Sequence, residues 1–231
     1  MCGRYTLTSP EDIAARFGLG ALAETRIEPR FNVAPTQGVP VIVAREDGPE
    51  LTTMRWGFQP AWMKTDGQRP PPINARSESL LERPMFRGAV AHGRCLIPAD
   101  GFYEWMTLPG RKTKQPMYIR LKGGPIFAFA GLYTQGRSDV GDSCVIVTTA
   151  ANDVISSIHE RMPVILDRSV EMRWLDPELE DGPAALAYLQ PVPPAELEIY
   201  PVSTMVSSAR NEGSDLIRPL EGAALGAPRL L

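Results

Sequence analysis

The sequence predicts a single α+β domain over residues 1–231, with a curved, barrel-like, mainly antiparallel β core and short flanking helices. Three observations carry this prediction. Short runs rich in β-branched and aromatic residues, such as VPVIVA (39–44) and SCVIVTT (143–149), recur between turn signals. With 23 prolines and 20 glycines, the punctuation is too dense for long helices. Strands do not alternate regularly with long helices, which argues against a doubly wound parallel sheet.

The elements follow in order. Ser9-Pro10-Glu11-Asp12 has the serine cap, first-turn proline and acids that open a helix, and Gly18 closes it after Phe17. PRFNVAPTQ (29–37) reads as an extended loop between prolines. VPVIVA (39–44) and LTTMRWGF (51–58) read as strands joined through Glu46-Asp47-Gly48-Pro49, and KTDGQRPPP (64–72) as a loop. Ser77–Leu81 starts a short helix, and RPMFRGAVAHGR (83–94) is a mixed, basic segment.

Arg94–Pro98 and Gly101–Met106 read as strands, the second paired with Met117–Leu121 across the basic loop TLPGRKTK. Ile126–Leu132, Cys144–Thr149, Met162–Leu166 and Glu196–Val202 are further strands. Asn152–Ile158, Arg168–Trp174 and Ala184–Leu189 are short helices, and little order is expected beyond about residue 213.

Composition narrows the function classes. No apolar run approaches the ~20 residues of a membrane span, and the N-terminus lacks a signal-peptide pattern, so a cytoplasmic protein is expected. Cys2, Cys95 and Cys144 form no CxxC pair, and His92 and His159 have no zinc-like spacing to them. No metal or organic cofactor is therefore implied. Cys95 and Cys144 sit in strand-like apolar runs and read as core thiols. The net charge of −3 hides an asymmetry: residues 1–120 carry 16 basic against 12 acidic side chains, residues 121–231 carry 8 against 15. A locally basic face remains open to an anionic partner.

Cys2 is the residue that a core does not explain. Once Met1 is trimmed, it presents an α-amine and a thiol on adjacent carbons, titrating at about 8 and about 8.5 when unperturbed. Such a pair attacks a carbonyl twice, as amine and then as thiol, and closes a five-membered ring. Elsewhere, Asn74 and Arg76 follow three prolines on a constrained segment. GFYEW (101–105) sets Glu104 among aromatics; on a strand it shares a face with Phe102 and Met106, away from Tyr103 and Trp105. A carboxyl among apolar neighbours has a raised pKa and suits a general acid, unless that strand face meets water. His159-Glu160-Arg161 offers an acid–base group beside an anion ligand, or an ordinary surface cluster. Thr148 ends an apolar strand where its hydroxyl is able to meet a phosphate.

Taken together, MCGRYTL, NARSE (74–78), CLIPADGFYEW (95–105), VTTAAN…IHERMP (147–163) and YPVSTMV (200–206) resemble the SOS response-associated peptidase (SRAP) family. The resemblance runs from residue 1 to about Met205. It implies an α+β fold with a groove for single-stranded DNA, and recognition of abasic sites there with crosslinking through the N-terminal cysteine; a monomer is expected. It implies Cys2 as nucleophile with Asn74, Glu104 and His159 as active-site partners. It also implies Arg76, Thr148 and Arg161 on the DNA backbone, with Arg4 beside them, and a peptidase activity freeing Cys2 by removal of Met1. The stretch Trp56–Trp62 is a candidate wedge or stacking surface.

Two other readings stay open. An N-terminal-nucleophile hydrolase would use the Cys2 thiolate against an amide, with its own amine as base. A non-covalent module for single-stranded DNA would leave Cys2 incidental and bind reversibly.

Overall fold

A computed structural model describes residues 2–20, 27–63, 70–136, 140–179 and 181–221. The chain begins β1 (Tyr5–Leu7), α1 (Ile13–Phe17), β2 (Arg30–Val33), β3 (Gly38–Arg45), β4 (Gly48–Trp56), β5 (Asn74–Arg76) and α2 (Pro84–His92). It continues β6 (Arg94–Ala99), β7 (Gly101–Met106), β8 (Gln115–Leu121), β9 (Phe127–Thr134), β10 (Ser143–Ala150) and β11 (Arg161–Pro163). The last elements are α3 (Arg168–Leu175), α4 (Gly182–Leu186) and β12 (Leu197–Pro201).

One sheet runs β12-β8-β7-β1-β2 and the other β11-β10-β4-β3-β6-β9. Because β9 also pairs with β10, the second sheet curls into a partial ring. Pairing is antiparallel except where β4 and then β5 run parallel to β10. The α+β class with a curled, mainly antiparallel core is therefore as the sequence predicts. No helix of the described residues is long and apolar enough to cross a membrane.

Strand alternation builds two cores. Along β9, Phe127 and Phe129 join one apolar cluster while Ala128, Ala130 and Leu132 join another. Along β10, Cys144 and Ile146 face the first cluster, Val145 and Val147 the second. Both faces are covered, which is why these strands read as continuous apolar runs. The first cluster fills the space between the sheets around Trp56 and Phe102, and the second lies under α1, α2 and α3. Cys95 and Cys144 are wholly buried, as core thiols should be.

The sheets are joined at Asp100, between β6 and β7, whose carboxylate accepts from the Thr6 hydroxyl and from the Thr8 hydroxyl and amide. The next residue has to be glycine: a Cβ on Gly101 would lie 2.2 Å from the Tyr118 hydroxyl oxygen.

Several elements differ from expectation. PRFNVAPTQ contains β2, an edge strand pairing Val33 with Tyr5, at a position where flanking prolines lose no ladder bond. The basic segment 83–94 contains α2, with Pro84 in its first turn and Phe86 and Val90 buried four residues apart. Asn152–Ile158 shortens to a 3-10 turn at Ile155–Ser157. Order continues past residue 213: Ser214–Ile217 forms a 3-10 turn with Leu216 buried, and the Leu220 amide donates to Pro201. Within the predicted loop 64–72, residues 64–69 lie outside the described residues, as does the tail from 222 onward.

Candidate active site

The site is built where the N-terminal segment enters the first sheet. β1 pairs with β7 (Tyr5 opposite Phe102), and the ladder continues outward as the Tyr103 amide donates to the Arg4 carbonyl at 3.0 Å. This lays residues 2–4 along β7 toward Glu104. From the other side comes β5, entered from the prolines 70–72 and pinned beside β10, Asn74 opposite Ile146 and Arg76 opposite Thr148. The Trp56 indole N–H anchors its approach by donating to the Ile73 carbonyl at 2.9 Å.

These supports bring four of the predicted residues together. Asn74 Nδ2 donates to the Cys2 carbonyl at 2.8 Å and fixes the first turn of chain, while its Oδ1 is buried without a partner. Cys2 is wholly buried, with Sγ 3.8 Å from the Arg4 carbonyl it faces. Burial holds its thiol far above the usual range, and the neighbouring Glu104 carboxylate pushes it further. Glu104 is only 3% exposed, and it shares the Phe102 face of β7 while Tyr103 and Trp105 pack into a separate tyrosine-rich cluster. Burial raises its carboxyl pKa; the charge of the His159 ring opposes that rise. The carboxyl therefore faces protein, as an internal acid, and does not face water on an edge strand.

His159 follows the 3-10 turn and is oriented by its own loop. Its Nδ1 accepts the Arg161 amide at 2.9 Å, so in the neutral ring the proton sits on Nε2. Cys2, Asn74, Glu104 and His159 thus form one constellation of acceptor, donor and acid groups around a cysteine one residue from the sequence start.

The four residues predicted to hold DNA are placed differently from one another. Arg76 is exposed beside the constellation. Arg4 is partly buried, with Nη1 donating to the Gly3 carbonyl at 2.9 Å and Nε without a partner. Thr148 is wholly buried: its hydroxyl donates to the Ala75 carbonyl at 3.4 Å, and its carbonyl accepts from Arg161 Nη2 at 2.6 Å. Arg161 meets Glu78 side by side, Nη1 to Oε1 at 2.8 Å and Nη2 to Oε2 at 2.9 Å. Glu78 stands two residues beyond Arg76 in NARSE, a spacing that the sequence reading did not use.

Of the aromatic stretch 56–62, Trp56 and Phe58 are core residues, and only Trp62, at 67% exposure, is presented to solvent. The stretch is therefore not a continuous stacking surface, because its first two rings are buried in the two apolar clusters, Trp56 at the end of β4 and Phe58 just beyond it. A cavity of about 570 Å³ lies apart from the constellation, between α1, α4 and the start of α3, lined by residues such as Ile126, Ile165 and Tyr188.

The chain was compared with known proteins. A sequence profile of the family described as SOS response associated peptidase (SRAP) matches residues 1–209. The abasic site processing protein YoqW of Bacillus subtilis is 42% identical over 222 residues, covering 94% of this chain and 99% of the relative. The abasic site processing protein YedK of Escherichia coli is 34% identical over 228 residues, covering 95% and 100%. HMCES of Gallus gallus, also named an abasic site processing protein, is 31% identical over 90% of this chain and 70% of its own. Among crystal structures, a Bacteroides thetaiotaomicron protein shares the fold with a TM-score of 0.81 at 23% identity, covering 95% of this chain and all of its own. A phage-related protein of Bordetella bronchiseptica gives a TM-score of 0.70 at 30% identity, covering 88% and 95%. With a constellation gathered at the sequence start and a family match over nine-tenths of its length, this chain belongs to the SOS response associated peptidase family.

Proposed function

We propose that this protein processes abasic sites in single-stranded DNA by joining itself to them through Cys2, after Met1 has been removed. The observation that carries the reading is the constellation itself: a buried thiol at residue 2, whose backbone carbonyl is tied to Asn74, beside a Glu104 carboxyl that in turn feels His159. Its relatives' shared designation as abasic site processing proteins supports the same substrate class.

The chemistry follows from the groups present. A ring-opened abasic site carries an aldehyde at C1′. The Cys2 amine, freed of Met1, adds to that carbon, and the carbonyl oxygen leaves as water to give an imine. The thiol then adds its sulfur to the imine carbon while its proton goes to the nitrogen, which closes a thiazolidine. This order suits a thiol held neutral, because the amine makes the first bond and no free thiolate is required. Glu104, whose carboxyl pKa is raised by burial, donates the proton that turns the carbonyl oxygen into water. The unpartnered Oδ1 of Asn74 accepts from the amine and orients its lone pair. His159, whose ring is oriented by the Arg161 amide, assists opening of the sugar ring. Arg76, Arg4 and Arg161 hold backbone phosphates, and Thr148 positions Arg161 from behind.

Peptidase chemistry is confined in this reading to release of Met1 and of the crosslink, and the protein acts as a monomer on cytoplasmic DNA. An N-terminal hydrolase working through a Cys2 thiolate is disfavoured, since burial opposes that thiolate.

The test uses a single-stranded oligonucleotide whose one uracil has been excised to leave an abasic site. After mixing and denaturation, the wild-type protein gives a shifted band. Cys2→Ala gives none, and neither does a strand carrying a tetrahydrofuran analogue, which lacks the aldehyde. A denaturant-resistant band from Cys2→Ala would overturn the aminothiol mechanism. Salt-reversible binding alone, from protein that has lost Met1, would leave a binding module.

A further inference from the structure

We propose that Glu78 gates Arg161: in the free protein its carboxylate occupies the guanidinium fork that a DNA phosphate takes when a strand binds. The inference rests on the DNA reading above and concerns a residue that the reading itself does not use.

The two partners are held very unequally. The Arg161 side chain is 11% exposed and that of Glu78 53%. Arg161 starts β11, pairs across to Ala150 on β10, and is pinned from behind by the Thr148 carbonyl at 2.6 Å. Glu78 rides on the short 3-10 turn Ser77–Ser79 that follows β5. The cation is therefore the fixed member and the carboxylate the movable one.

The geometry of the contact is that of a phosphate mimic. Both Glu78 oxygens meet the two terminal nitrogens of the guanidinium, the same paired arrangement that Arg offers to two phosphate oxygens. With that fork on Glu78 and the second Nη2 hydrogen on Thr148, a phosphate gains paired contact with Arg161 only by displacing Glu78. An exposed carboxylate gives up such a partner at small cost. Intact DNA that engages the groove loosely has to meet the same cost. Glu78 thus subtracts from binding in general and leaves the covalent step to favour the lesion.

The measurement is equilibrium binding, by fluorescence anisotropy, of a labelled single strand carrying the tetrahydrofuran analogue, so that no covalent step intervenes. Glu78→Gln is expected to bind about fivefold more tightly, the scale of one lost exposed ion pair. Its salt dependence should steepen by up to about 0.7 in log–log slope. Glu82→Gln, which neutralises an exposed acid four residues on, controls for overall charge and should change affinity by less than about twofold. In an Arg161→Gln background the gain from Glu78→Gln should vanish.

Unchanged or weaker binding by Glu78→Gln overturns the gate. So does an equal gain from Glu82→Gln, or a gain that persists without Arg161. If the wild-type protein binds no strand at all, the DNA reading falls and takes the gate with it. A wild type that binds and crosslinks, with Glu78→Gln unchanged, removes the gate alone.

Discussion

In the proposed mechanism Glu104 is the residue on which chemistry and stability pull in opposite directions. Burial raises its carboxyl pKa, so the neutral acid persists above the ordinary carboxylate range. A carboxyl raised in the fold stabilises the native state at low pH, and that contribution is lost as pH rises through the folded value. Glu104→Gln keeps the shape without the ionisation. Thermal melts from about pH 5 to pH 8 should therefore show the variant more stable than wild type, with the gap widening toward the alkaline end. Single-turnover crosslinking should move the other way, slowing by about 100-fold, with the alkaline fall in rate present in wild type and absent in the variant. A variant equally fast and no more stable would contradict both roles. The sequence revealed this residue because GFYEW interrupts an aromatic run with a carboxylate, and strand alternation put it on the Phe102 face. It did not reveal Glu78, whose meaning depends on Arg161, 83 residues away across β10.

At the scale of elements, pattern strength decided what was legible. The runs that became β3 and β10 are rich in β-branched residues and that of β9 in aromatic and small apolar ones, and each lies where the sequence puts it. The helix α2 was hidden because Arg83, Arg87 and Gly88 dilute its apolar face to Phe86 and Val90. The edge strand β2 was hidden by flanking prolines; its Asn32 Nδ2 is held by the carbonyls of Val206, Ser208 and Asn211, a contact that no local pattern encodes.

Arg94 shows how these elements are held. Its buried guanidinium donates to Val90 and Ala91 in the last turn of α2, to Trp174 in the last turn of α3 at 2.6 Å, and to Asp176 beyond it. Helix C-termini leave such carbonyls without intrahelical donors, and a cation is the matching partner. Arg94→Met should cost about 3 kcal/mol, seen as a melting point lower by about 10 °C. Crosslinking below that temperature should be unaffected. A loss of less than about 1 kcal/mol would mean the helices are held by packing alone.

At the scale of the whole molecule, the N-terminus is not a loose end. β1 lies inside its sheet, between β7 and β2, so the first residues are carried to the junction of the two sheets. There β7 supplies Glu104, β5 supplies Asn74, and the segment leading into β11 supplies His159. The class of fold was legible in the sequence. The convergence required the pairing of β5 with β10 and of β1 with β7, both long-range, and neither is written in any local pattern. The same placement explains why the thiol at residue 2 is buried, which in the proposed mechanism leaves the first bond to the free α-amine and not to a thiolate.

Intact-mass measurement of the adduct with an abasic single strand tests that central claim most directly. The account predicts the mass of the chain without Met1 plus that of the oligonucleotide, less one water, with the attachment mapped to Cys2. An adduct that retains Met1, that forms without loss of water, or that maps to another residue would contradict it.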